Sequence, residues 1–419
     1  MRVAVIFDNF GPYHHARLRE SRKSLDLVAI ELGRISGEYS WNRQPKTEVG
    51  HEIVNTHGSS GDMPLKEFKA KLECILASSG VSVVAVPGWS SRGSISALLW
   101  AVNNGVPVVL MSDSTLRDER RLPWKEAAKK EIVALASSAL VAGHPHADYV
   151  NILGMPRSQI FLGYDVVDNS YFESESKRWQ GNRAAQSNGH LFLASCRFVS
   201  KKNLPVLLAA YAMYVNRAKV VPGSEVWNLC LLGDGVMKGQ LIDQCKALGL
   251  QMVNSAPWEL SETTSQCTQT RKSPTQPIVF FPGFRQVDEL PRFYGEASAF
   301  VHASSTEQWG LVVNEAMACG LPILLSSRVG CAADLVKEGV NGFTFDPQNV
   351  GGLTELMCLL ASSEFPLPRF GEASRQIIAQ WSLDRFASGL ACASRVATEI
   401  GPKTLSWLCR CFLASLLRK

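Results

Sequence analysis

The chain has 419 residues, 46% of them hydrophobic and 19% charged, which excludes a disordered or collagen-like chain and, by length, predicts two large domains. Forty-three Lys and Arg against 38 Asp and Glu leave a net charge of +5. That surplus is too small for a nucleic-acid binder but compatible with an anionic small ligand.

In chain order, short apolar runs alternate with amphipathic stretches, the pattern of a parallel α/β architecture. Strands are predicted near Val3–Phe7, Leu27–Glu31, Val83–Val86, Val108–Met111 and Ala139–Ala142, with helices such as Ile95–Asn103 and Ala147–Leu153 between them. The first run meets Asp8 too early to be a signal-peptide core. A polar stretch over 177–189 predicts a linker, so that 1–176 form the first domain and 190–384 the second. The second domain repeats the pattern, with strands near His190–Ser195, Trp227–Leu232, Ile278–Phe281, Ala299–His302 and Pro322–Leu325. Its helices are expected at Leu204–Val215, Gln240–Ala247, Leu311–Cys319 and Gly352–Leu360. Residues 254–277, rich in Ser, Thr and Gln, read as a polar surface insertion. Helices over 385–419 are expected to cross back to the first domain. No apolar run reaches the roughly 18 residues of a membrane span. Eleven cysteines with only Cys409 and Cys411 close together argue for reduced thiols in the cytoplasm.

The densest chemistry lies in Ser304–Pro322. This segment leaves a strand end, turns through Gly310 and enters a helix, with Glu307 before the turn and Glu315 on the helix. Open α/β folds bind ligands at that edge of the sheet. The N–H groups of Leu311 and Val312 would lie at a helix N-terminus, a seat for phosphate. Upstream, Arg197 offers a planar fork and Lys202 a point charge, two complementary ways of holding phosphate oxygens. There is no Asp-x-Asp pair to clamp a metal, and His14-His15 and His144-Pro145-His146 lack partners at ligand spacing, so no metal site is expected.

Glu, seven residues, Glu, followed by Ala-Met-Ala-x-Gly-x-Pro, resembles the donor-site motif of glycosyltransferase family 4. Other ordered elements agree. Ser195–Asn203 resembles the family's Gly-Arg-Leu-x-x-x-Lys-Gly element, with Asn203 in place of the usual Gly. Leu231–Gly235 is similar to its Val-Gly-Asp-Gly turn, and Phe281-Pro282-Gly283-Phe284 to its strand-then-Gly element. Ser326–Gly330 and Gly339–Phe343 match two later elements. The resemblance is dense from Leu191 to about Pro347 and weak before it. It implies a GT-B fold, two Rossmann-like doubly wound domains facing a central cleft. It also implies retaining transfer of a hexosyl-type sugar from a nucleotide-diphosphate sugar, with no further cofactor. By this resemblance Glu307, Arg197 and Lys202 are catalytic. Glu315, Gly310, Leu311, Val312, Gly233, Asp234, Gly283 and Phe284 bind the donor, Glu315 through the ribose hydroxyls.

The first domain matches less well. After the first strand, Gly11 stands where the family often has a Gly pair, and His14, His15 and Arg17 are candidates to touch an acceptor. The family's frequent sugar-contacting His is replaced by Met111-Ser112-Asp113-Ser114, so Asp113 either substitutes for it or belongs to a turn and helix cap. Trp89 is either a sugar platform or core. The acceptor could be a saccharide, a lipid-linked sugar or a small molecule. The tail over 402–419 is apolar and basic, and either packs on the protein or lies on an anionic membrane surface. A GT-B binding or scaffold protein without turnover is the alternative function, and loss of Arg197, Lys202 or either Glu would favour it; all are present.

Overall fold

The computed structural model describes residues 1–34, 50–180, 189–220, 225–259 and 277–404. The chain forms two compact units: Met1–Asp168 with Trp381–Lys419, and Asn169–Gln380.

In the first unit the strands are β1 (Arg2–Phe7), β2 (Asp26–Gly33), β3 (His51–Asn55), β4 (Val83–Pro87), β5 (Val108–Ser112), β6 (Ser138–Val141) and β7 (Ile160–Leu162). Described neighbours all pair in parallel, in the order β3-β2-β1-β4-β5-β6-β7. Val3 to Phe7 and Val83 to Val86 are buried on both faces, as parallel strands covered by helices must be. Helices α1 (Pro12–Ser21), α2 (Leu65–Ser78), α3 (Arg92–Asn103), α4 (Pro123–Ala134) and α5 (His144–Ile152) accompany them. The order reverses between β1 and β4, which places the ligand edge at the carboxyl ends of those two strands.

The second unit opens with α6 (Asn169–Gln180). Its sheet is β8 (Leu191–Ser195), β9 (Asn228–Leu232), β10 (Gln251–Val253), β11 (Ile278–Gly283), β12 (Ala299–His302), β13 (Ile323–Ser326) and β14 (Gly342–Phe345). The order is β10-β11-β9-β8-β12-β13-β14, again parallel throughout. The helices are α7 (Leu204–Lys219), α8 (Lys238–Ala247), α9 (Leu290–Glu296), α10 (Leu311–Ala318), α11 (Ala332–Leu335), α12 (Val350–Leu360) and α13 (Leu367–Ile378). Here the switch point lies between β8 and β12.

The last helix, α14 (Leu383–Ile400), belongs to the first unit. Phe386, Leu390, Ala393 and Ala397 are buried, and a Cβ on Gly389 would stand 2.9 Å from both Leu140 Cδ1 and Leu162 O. The glycine lets the helix lie against β6 and β7.

The boundaries differ from the 176, 189 and 384 expected from composition. The chain leaves the first unit at Asp168 and rejoins it at Trp381. The cause is α6, expected to belong to the first domain up to 176 and to the linker beyond, which instead docks on the second unit. Gln180 Nε2 donates to Cys319 O at 2.9 Å, and a Cβ on Gly295 would meet Ser176 O at 2.7 Å, so α9 comes close to it only because that side chain is missing. Residues 181–188, most of the 254–277 insertion and nearly all of the 402–419 tail lie outside the described residues. Among the described residues no helix is long and apolar enough to cross a membrane, and no described cysteine is in a disulfide.

Candidate active site

Three turns at the carboxyl edge of the second sheet are bonded into one platform. Cys196 N donates to Leu232 O (3.0 Å), Phe198 N to Asp234 O (2.8 Å) and Gly233 N to Gly283 O (3.0 Å). Gly233 has φ +134° and a Cβ there would stand 2.0 Å from Cys196 O, so only glycine allows the β9 turn to touch the β8 turn. The Gly-Asp-Gly element is thus a packing requirement. Asp234 itself is half exposed, its Oδ2 3.4 Å from Lys238 Nζ, and Phe284 is exposed just past the end of β11.

The switch point carries the charged groups. Lys202 ends a short helical turn after β8, and its ammonium forms a hydrogen-bonded ion pair with Glu307 Oε2, both side chains largely buried. Glu307 is anchored by its backbone: it bridges Val329, and its carbonyl accepts from Gly330 N at 3.0 Å. Two residues not picked out from the sequence complete the cluster. His302, at the end of β12 and 2% exposed, places Nε2 3.1 Å from Ser304 Oγ and 3.6 Å from Glu307 Oε2. Ser304 Oγ donates to the same carboxylate oxygen at 3.4 Å. Their signal was available, a His and a Ser at the end of an apolar strand, but neither type is diagnostic alone.

Burial pushes the Glu307 carboxyl up, and the contact with His302 and the charge of Lys202 outweigh it, holding the group well below the usual carboxylate range. Burial, with help from Lys202 and Lys201 and against the pull of Glu307, lowers His302 and keeps it neutral near pH 7. The Cys196 thiol is pushed up to about 12 by burial, Glu307 adding to the rise and Lys202 and Arg197 opposing it. Lys202 and Glu307 thus meet beside the β8 turn, which holds Arg197.

Asn203 explains its own departure from glycine. It is left-handed, φ +55° and ψ +33°, a conformation Asn tolerates better than other side chains. Its Nδ2 donates to Pro347 O (2.8 Å) and Ala303 O (3.2 Å), tying the Lys202 turn to the strand that leads to Glu307. Asn203→Ala is expected to lose about 2–3 kcal/mol, about 1–2 from the backbone and about 1 from the hydrogen bonds. Asn203→Gly should lose only the second part, as chemical denaturation will show.

Gly310, left-handed at φ +103°, starts α10, and the N–H groups of Leu311 and Val312 open that helix as expected. Glu315 is 2% exposed, and its Oε2 accepts from Tyr294 Oη at 2.7 Å. Among the described residues no group of three or more His, Cys, Asp and Glu is arranged to hold a metal ion.

In the first unit Gly11, His14, Arg17 and Trp89 all have structural partners. Gly11 caps α1 with an ordinary φ of −98°, and its N–H donates to His14 Nδ1 at 3.0 Å. Burial, then Arg17 and His15, push His14 down to about 3. Arg17 is buried and paired with Asp165 at 3.3 Å, so it is not an acceptor contact. His15 is lowered by burial and by His51, with Glu31 opposing. Asp113 lies just past β5, but no helix follows until Pro123, so it caps none; the loop is held by side chains such as Asp118, which accepts from Thr115 N at 3.0 Å. Trp89 packs at the edge of the core, edge-on to Tyr149 at 6.1 Å, in favour of the core reading.

Comparison with known proteins bears on the fold and on part of the second unit. Residues 262–377 match the family model described as glycosyl transferases group 1. The sulfoquinovosyl transferase SQD2 of Arabidopsis thaliana is 41% identical over 88 residues, 20% of this chain and 17% of that protein. The uncharacterized glycosyltransferase MJ1607 of Methanocaldococcus jannaschii is 23% identical over 256 residues, 60% of this chain and 57% of its own length. The chain thus spans less than two thirds of the length of either relative. The Anabaena protein Alr3699/HepE, solved in complex with UDP and glucose, superposes with a TM-score of 0.66 at 17% identity, covering 93% of this chain and 98% of that one. The chain has the GT-B fold of two Rossmann-like domains, and its residues 262–377 match the group 1 glycosyl transferases.

Proposed function

We propose that the chain is a retaining glycosyltransferase that moves a hexosyl-type sugar from a nucleotide-diphosphate sugar to an acceptor. The observation that carries this reading is the Lys202–Glu307 pair at the switch point of the second sheet, close in the chain to the β8 turn that holds Arg197 and to the opening N–H groups of α10. The bond between the anomeric carbon and the diphosphate breaks with both electrons leaving on the phosphate, while an acceptor hydroxyl bonds to that carbon on the same face and its proton passes to the departing phosphate oxygen. Arg197, Lys202 and the N–H groups of Leu311 and Val312 take up that charge, the kind of stabilisation that usually dominates such a step. Glu307 faces the positive charge that develops on the sugar, and Glu315 holds the ribose. Gly233, Asp234, Gly283 and Phe284 line the nucleotide side. Acceptor choice falls to the first unit, where Gly11 and Asp113 follow the carboxyl ends of β1 and β5 and His15 lies near the start of α1.

UDP-sugars lead the donor candidates, since the solved neighbour holds UDP and glucose. The test is a panel of UDP-, GDP- and ADP-sugars followed for slow hydrolysis without acceptor, run with and without excess EDTA. One donor should be consumed, and consumption should survive the chelator because side-chain cations carry the diphosphate. Hydrolysis restored only by Mg²⁺ or Mn²⁺ would reject the metal-free mechanism. Nucleotide binding with no turnover in any arm would favour the scaffold alternative.

A further inference from the structure

Glu315 is held by a residue that the motif does not contain. Tyr294 lies in α9, fully buried, and its hydroxyl donates to Glu315 Oε2 at 2.7 Å. The ring is fixed in turn by Phe172 of α6, edge-on with centroids 6.1 Å apart, and by Phe300 of β12 at 6.0 Å. Both rings are themselves buried, so the phenol has little freedom to turn away. A carboxylate that must accept from two adjacent hydroxyls needs a fixed plane, and a buried hydrogen bond to one of its oxygens supplies it.

We propose that Tyr294 is a positioning residue for nucleotide recognition: it sets the plane in which Glu315 meets the ribose hydroxyl pair, and so sets the preference for a ribose over a 2′-deoxyribose nucleotide. The inference rests on the donor-site reading above. It assigns Tyr294 no contact with the ligand.

The experiment is calorimetric titration of the full chain with UDP and 2′-deoxy-UDP, in wild type, Tyr294→Phe, Glu315→Gln and the double variant. ADP and GDP, with their 2′-deoxy forms, run alongside. Wild type should prefer the ribose form. Tyr294→Phe should weaken ribonucleotide binding by about five- to tenfold, bring the ribose-to-deoxyribose ratio towards one, and leave kcat at saturating donor within about twofold. The double variant should bind no more weakly than Glu315→Gln alone, because both changes remove one interaction. Thermal melting separates a folding defect from a binding one, since a purely structural role would lower the melting temperature and leave the ribose preference intact.

A Tyr294→Phe protein that keeps the wild-type ratio while Glu315→Gln loses it overturns the positioning role and leaves the donor-site reading standing. If Glu315→Gln also keeps the ratio, Glu315 is not the ribose contact. If wild type binds none of the three nucleotides, the nucleotide-sugar reading itself falls.

Discussion

Glu307→Gln is expected to lower turnover of the donor by about a hundredfold while nucleotide affinity stays within about threefold. The carboxylate is held ionised by Lys202 and by its contact with His302, so at neutral pH it presents a full negative charge where positive charge develops on the sugar. An amide keeps the shape and removes that charge, which matters in the transition state more than in the ground state. Initial-rate kinetics with the donor found in the panel, beside calorimetry with the bare nucleotide, separate the two effects. Equal losses in both would reject a catalytic role for Glu307.

Lys202→Met should be the most damaging single change to stability. It leaves the Glu307 carboxylate buried without its ammonium, a situation that typically costs about 3–5 kcal/mol and would lower the melting temperature by on the order of 10 °C. The double variant Lys202→Met with Glu307→Gln removes both charges and should recover most of that loss, while activity stays absent because the diphosphate has lost its ammonium. Acid titration gives a further readout. The native carboxyl titrates below its ordinary value of 4.5, so the pair stabilises the fold above that pH and its contribution disappears as pH falls through the lower native value. Glu307→Gln should flatten that acid limb. A double variant as unstable as Lys202→Met would show that the damage lies in packing.

The central strands were legible because each is an unbroken apolar run, and β1, β4, β8 and β12 fall where their runs do. The strands β3, β7, β10 and β14 were not marked, since short segments with half-exposed residues leave no such run. The polar α6 concealed the domain boundary for the same reason: its amphipathic face is defined by what it packs on. In the site, Arg197, Lys202, Glu307 and Gly310 could be read from spacing, because turn geometry fixes how far apart such residues stand. Tyr294 could not, since it reaches Glu315 by tertiary packing from a separate helix, and His302 and Ser304, although close to Glu307 in the chain, are residue types that a strand end carries for many reasons. His14 and Arg17 show the converse, residues whose chemistry suggests a ligand and whose partners are their own backbone and Asp165.

The return of α14 to the first unit has a consequence for biosynthesis. Residues 169–380 form one uninterrupted stretch and can complete their sheet as soon as they leave the ribosome. The first sheet, although made earlier, waits for Phe386, Leu390, Ala393 and Ala397 to cover it, some two hundred residues later in translation at the usual elongation rates. Until then the apolar faces of β6 and β7 have no lid, and the nascent chain carries a sticky surface for on the order of ten seconds or more. The later half of the molecule is thus the first to mature, and the protein's N-terminal domain is the one with the greater need of a chaperone.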